Sequence, residues 1–170
     1  MNYLINIIDK FIEKIGKLVS WLSLLLVLVI CYDVVMRYVF DTSSAAMFEL
    51  EWHIFAALFL LSMAYAFKHD KHVRVDVFYA QFSDKGKAIV NFIGTSIFLI
   101  PFCLVLIKTS IPFVIDSYEI LESSPDPGGL PNRFIIKSAI PIGASLLLLQ
   151  AVSMLLTSFS ELIVKKETSA

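Results

Sequence analysis

Cysteine and histidine are scarce in this chain, with two and three copies among 170 residues. Cys31 and Cys103 each lie inside an apolar run, so both read as small buried side chains and no disulfide is expected. Of the histidines only His53 falls within an apolar span, at its outer end; His69 and His72 lie on the opposite side. No two are placed to flank one porphyrin, and no Cys/His cluster has metal-ligand spacing, which argues against a haem or metal protein. Nucleophilic and phosphate-cradling motifs are missing too. Ser123, Ser124, Gly128 and Gly129 sit beside Pro125, Pro127 and Pro131 and read as turn chemistry. Charge is sparse at 17%, with a net of −1, so nothing draws the chain toward nucleic acid. It has no internal repeat and no polar cluster at mid-span depth, features that alternating-access carriers tend to show. A secretory signal peptide is not expected, because the N-terminus carries acids, lacks a small-residue cleavage site and runs into a full-length span. These absences together point away from an enzyme.

What the chain has in quantity is apolar length. Hydrophobic residues make up 58% and the mean hydropathy is +0.78, against about 45–50% apolar in soluble domains. The apolar residues come in blocks near the length that crosses a bilayer. The expected fold is an all-α integral membrane protein, a single membrane domain over 1–170. Four spans are expected, near 18–40, 45–67, 88–115 and 135–156, with Thr42, Ser43 and Ser44 available as caps before the second. The third span is long and holds Pro101 and Pro112, so a tilt or kink is expected there. Before the first span, residues 2–17 place Leu4, Ile7, Ile8, Phe11, Ile12 and Ile15 on one helical face and Asn6, Asp9, Lys10, Glu13, Lys14 and Lys17 on the other. That pattern fits an amphipathic helix on the membrane surface, or an extension of the first span.

Lysine and arginine set the orientation. Lys10, Lys14, Lys17, Lys68, Lys71, Arg74, Lys85, Lys87, Lys165 and Lys166 fall on one side of the spans. Only Arg37, Lys108, Arg133 and Lys137 fall on the other. Both termini, including a tail over 157–170, are therefore expected to be cytoplasmic. Between spans two and three, the alternation His72-Val73-Arg74-Val75-Asp76 predicts a short extended link. Asp76 is placed to cap a short surface helix in VFYAQFSDKGK, where Val75, Phe78, Tyr79 and Phe82 share a face.

Polar groups inside a bilayer are costly and usually face protein or water. Asp33 and Arg37, four apart, share a helical face and fit either an intrahelical ion pair or a contact with another helix or subunit. Glu49, Trp52 and His53 share a face at the start of span two, where acids suit a helix N-terminus and tryptophan suits the interface. Gln150 in span four is a candidate interhelical hydrogen-bonder.

Four stretches carry a resemblance: Arg37-Tyr38-Val39-Phe40; Phe48-Glu49-Leu50-Glu51-Trp52; AALFLLSMAYAFKHDKHVRVDVF at 56–78; and GGLPNRFIIKSAIPIGASLLLLQ at 128–150. Through them nearly the whole chain resembles the small, DctQ-like membrane subunit of TRAP (tripartite ATP-independent periplasmic) transporters. The resemblance implies a bacterial inner-membrane protein that is a non-catalytic part of a sodium-coupled importer of an organic acid anion. Its partners would be a large membrane subunit carrying the substrate and sodium sites, a periplasmic substrate-binding protein, and lipid. No cofactor is implied for this chain itself. Asp33, Arg37, Glu49, Trp52, His53, His72, Arg74 and Asp76 become candidates for structural or subunit-interface roles. Asp126, Arg133 and Lys137 become candidates for docking the binding protein. Because the chain stops soon after Lys165-Lys166, it reads as a separate polypeptide. A stand-alone four-helix redox protein and a small oligomeric carrier are the competing readings.

Overall fold

The computed structural model describes residues 2–69, 79 and 81–167. Among them the regular structure is entirely helical: α1 (Asn2–Val39), α2 (Ala45–Lys68), α3 (Asp84–Gly94), a π-turn (Thr95–Leu99), α4 (Ile100–Glu119) and α5 (Phe134–Glu167). α3, the π-turn and α4 run on as one rod, so four helices are long and apolar enough to cross a membrane. They run up and down. One end, the near end, carries the start of α1, the end of α2 at Lys68, the start of α3 and the end of α5. The other, the far end, carries the 40–44 and 120–133 connections.

Residues 2–17 do not form a separate surface helix. α1 is unbroken for 38 residues, about 57 Å at 1.5 Å per residue and well beyond a hydrocarbon core of about 30 Å. Part of its early apolar face is covered by protein: Ile12, 1% exposed, packs with Ala64 of α2 and Leu146 of α5, flanked by Ile8, Ile15, Leu61 and Tyr65, while Leu4, Ile7 and Phe11 stay exposed. Likewise α5 continues through most of the segment expected as a tail.

α5 is the common partner, touching α1, α2, α3, the π-turn and α4, while α1 lies mainly along α2. The composition of α5 suits this place. Ala139, Ala144 and Ala151 are buried, and a Cβ on Gly143 would fall 2.4 Å from the Leu60 carbonyl oxygen. Small side chains let helix backbones approach closely where lipid offers no hydrophobic drive. A second apolar cluster joins Phe67, Cys103 and Leu147. Both cysteines are free, Cys103 buried and Cys31 exposed.

The third span absorbs Pro101 with a π-turn. Proline has no N–H for the carbonyl four residues back, here Ile97. The helix widens over that turn, and the Ile100 N–H reaches five residues back to Thr95. Helix ends follow local chemistry. Ser83 caps α3 by accepting from the Gly86 N–H. Ser44 sits at the N-cap of α2 with extended backbone but makes no side-chain cap; nearby, Thr42 donates instead to the Met36 carbonyl. α4 ends in a Schellman motif: Glu122 N–H bonds the Ser117 carbonyl, Leu121 N–H bonds Tyr118, and Leu121 takes the left-handed φ of 45°.

Candidate functional site: polar clamps at the two ends of the bundle

At the far end Glu49 organises the 120–133 loop. α2 presents its carboxylate inward, 2% exposed. Oε1 accepts from the Ser124 hydroxyl at 2.5 Å and from the Arg133 guanidinium at 2.6 Å, and Oε2 accepts from the Leu130 N–H at 2.6 Å. The loop is shaped to deliver these donors. Asp126-Pro127-Gly128-Gly129 turns back on itself through Gly129 N–H to the Asp126 carbonyl, with Gly128 at φ 77°. That is the backbone a Pro-Gly pair at the centre of a type II turn favours. Ser124 and Leu130 pair across the loop, as do Glu122 and Arg133.

The neighbours extend this clamp. The Arg133 guanidinium lies 5.8 Å from the centre of the Trp52 ring. His53 stacks on Trp52, and its Nδ1 lies 2.5 Å from the Glu49 carbonyl, an arrangement that assigns the proton to this nitrogen. Lys137 pairs with Glu122 and sits 4.0 Å above the Phe113 ring. The Lys137 ammonium holds the Glu122 carboxyl below its ordinary value. On α1, Asp33 is 3% exposed and pairs with Arg37 one turn on, which is the intrahelical alternative.

At the near end a second clamp joins α1, α2 and α5. Lys68 donates to the Glu13 carboxylate at 2.7 Å and to the Asp9 carbonyl at 2.9 Å. His69 Nε2 lies 2.9 Å from the same carboxylate, and Lys17 lies 3.2 Å from it. The Asp9 carboxylate accepts from Ser153 at 2.7 Å and from Gln150 at 3.2 Å. Asp9 and Glu13 therefore turn toward α2 and α5 rather than to water.

The structure gathers Glu49, Trp52, His53 and Arg133 into one cluster with Lys137 beside it. It leaves Asp33 and Arg37 as a separate pair. Asp126 stands exposed at the loop tip. Arg133 and Lys137 are engaged within the chain. His72, Arg74 and Asp76 lie outside the described residues, as do Val77, Phe78 and Ala80 of the expected surface helix; of its remainder, residues 81–83 are not helical and residues 84–87 form the first turn of α3. Sequence reading missed Ser124, Leu130 and Glu122 as partners of the polar residues, and it missed the whole near-end clamp. One signal was present for the latter: folding the chain about the 40–44 turn sets Glu13 opposite Lys68. Among the described residues no three His, Cys, Asp or Glu side chains are grouped to hold a metal.

Glu49 ties α2 to the far-end loop and Glu13 ties α1 to α2, while Asp33 pairs within α1 and the buried Arg133 Nε and Gln150 Oε1 have no hydrogen-bond partner among the described residues. With four helices long and apolar enough to cross a membrane, the fold is that of a multi-pass membrane protein. Residues 26–161 match the family model of the DctQ component of tripartite ATP-independent periplasmic transporters, and the chain belongs to that family. It is similar to a Haemophilus influenzae protein described as a TRAP transporter small permease protein, with 29% identity over 147 residues, covering 86% of this chain and 89% of the relative. The family is one of transporter subunits, not enzymes.

Proposed function

We propose that this chain is the small membrane subunit of a sodium-coupled TRAP importer of an organic acid anion. It extends the scaffold of a large membrane subunit, which carries the substrate and sodium sites, and it has no cofactor of its own. The observation that carries this reading is the family match over residues 26–161; the pairing of buried Glu49 with Arg133 across the far-end loop supports a scaffolding role. Broad apolar faces are left for lipid or a partner, including Leu18, Trp21, Leu28, Phe98 and Val105, each more than half exposed.

The protein resides in the bacterial inner membrane with both termini cytoplasmic, as the lysine distribution supports. The 120–133 loop then faces the periplasm and presents Asp126 to a substrate-binding protein. Arg133 and Lys137 contribute to docking by shaping that loop. Co-expression with the large membrane subunit tests the assignment: the two should co-purify, and uptake into liposomes should require both plus the binding protein. Uptake by this chain alone would instead favour a small carrier. Reporter fusions at Ser44 and Asp126 should read as periplasmic; a cytoplasmic signal from either rejects the orientation.

A further inference from the structure

An apolar groove of about 920 Å³ opens on the flank of the bundle between α2 and the α3–α4 rod. Met63 and Phe67 form one wall, Val90, Gly94 and Phe98 the other, and Leu147 and Met154 the floor. Such a volume is ligand-sized. Two features of the rod shape this groove. Around the Cβ that Gly94 lacks there is nothing within 4 Å, so the rod is open to the groove at that residue. The π-turn begins at the next residue, where the helix departs from its ordinary path.

The charges on the rod set its depth. Lys87 and Lys108 bracket the uncharged stretch 88–107, about 30 Å long at 1.5 Å per residue, the thickness of a hydrocarbon core. Lys87 thus marks one headgroup layer. From it to Phe98 is about 16 Å along the helix, close to one leaflet. At the mouth, Tyr79 and Asn91 hydrogen-bond at 2.9 Å, and the Lys87 ammonium lies 5.8 Å from the centre of the Tyr79 ring. Lys85, two residues before Lys87, is exposed. Apolar length for one leaflet below a cationic mouth matches a lipid whose head is anionic, since basic pockets between membrane helices bind such heads.

We infer that this groove is a binding site for an anionic phospholipid of the near-end leaflet, with one acyl chain along Gly94 and Phe98 and the phosphate at Lys87. The site follows from membrane insertion and does not rest on the transport assignment.

The test is native mass spectrometry of the full chain, alone and with its co-purified membrane partner, after exchange into detergent containing phosphatidylglycerol or phosphatidylcholine. Wild type should retain one phosphatidylglycerol at least tenfold over phosphatidylcholine in both forms. Gly94→Leu should lose the retained lipid while keeping its helical circular dichroism, because the added side chain enters open space. Val90→Phe narrows the groove from its outer wall and serves the same end should Gly94→Leu misfold. Lys87→Gln should abolish the preference between headgroups. Equal retention of the two lipids by wild type, undiminished retention in the groove-filling variants, or loss of the lipid once the partner is bound would overturn the site.

Discussion

Glu49 on α2 and Arg133 at the threshold of α5, 84 positions apart, meet at 2.6 Å with the carboxylate almost wholly buried. This contact, with Ser124 and Leu130 on the same carboxylate, ties the far-end loop to the bundle. Removing one member of a buried pair leaves the other charged and unsatisfied, whereas removing both does not. Glu49→Ala should therefore loosen the 120–133 loop, read as faster proteolysis there and a lower melting temperature. Glu49→Ala combined with Arg133→Ala should be less damaging than the two single effects added together, a coupling that a double-mutant cycle measures. Strictly additive losses would show that the pair does not act as a unit.

The neighbouring pair responds to acid. Lys137 holds Glu122 below its ordinary 4.5 in the folded state. Its contribution to stability is then complete above 4.5, declines as pH falls below that value, and is gone once pH has passed through the depressed folded value. Glu122→Gln should lower stability at neutral pH and flatten the acid limb of the melting-temperature profile. An unchanged acid limb in Glu122→Gln would refute the assignment of that limb to this pair.

Much of the architecture was legible because it follows from apolar length and from charges at span ends. The four helices follow from apolar length, Gln150 stood out as a polar residue inside a span and bonds Asp9 of α1, and the four-residue spacing of Asp33 and Arg37 allowed the pair that forms without choosing it over a contact with another helix. The partners of Glu49 were not legible. They depend on a loop whose path is set by left-handed backbone at Leu121, Gly128 and Asn132, and only Gly128 and Asn132 are residue types that announce such a conformation. The early part of α1 was ambiguous for a different reason. An amphipathic face has the same periodicity whether it meets lipid or protein, and here Ile8, Ile12 and Ile15 meet α2 and α5.

Leu121 itself offers a stabilising change. It occupies the position after α4 that glycine usually fills, at φ 45° and 61% exposed. A side chain there costs about 1 kcal/mol relative to glycine, and little packing is lost with it. Leu121→Gly should raise stability by up to about 1 kcal/mol, read by thermal or chemical melts in detergent. A lower melting temperature would mean that the Leu121 side chain makes a contact in the membrane complex worth more than the backbone strain.

Two glycines on the helices should respond in opposite ways to the same substitution. At Gly143 the new methyl group would lie 2.4 Å from the Leu60 carbonyl oxygen and 2.9 Å from its carbonyl carbon. Those are backbone atoms of a packed helix and cannot rotate away, so α2 and α5 must part. Overpacking of this kind costs about 1–3 kcal/mol. At Gly94 the same methyl group meets nothing within 4 Å, and alanine favours the helix over glycine by about 1 kcal/mol. Gly143→Ala should accordingly melt earlier and Gly94→Ala later than the parent, compared in one detergent. If Gly143→Ala melts with the parent, the α2–α5 contact is looser than the close approach at Leu60 requires.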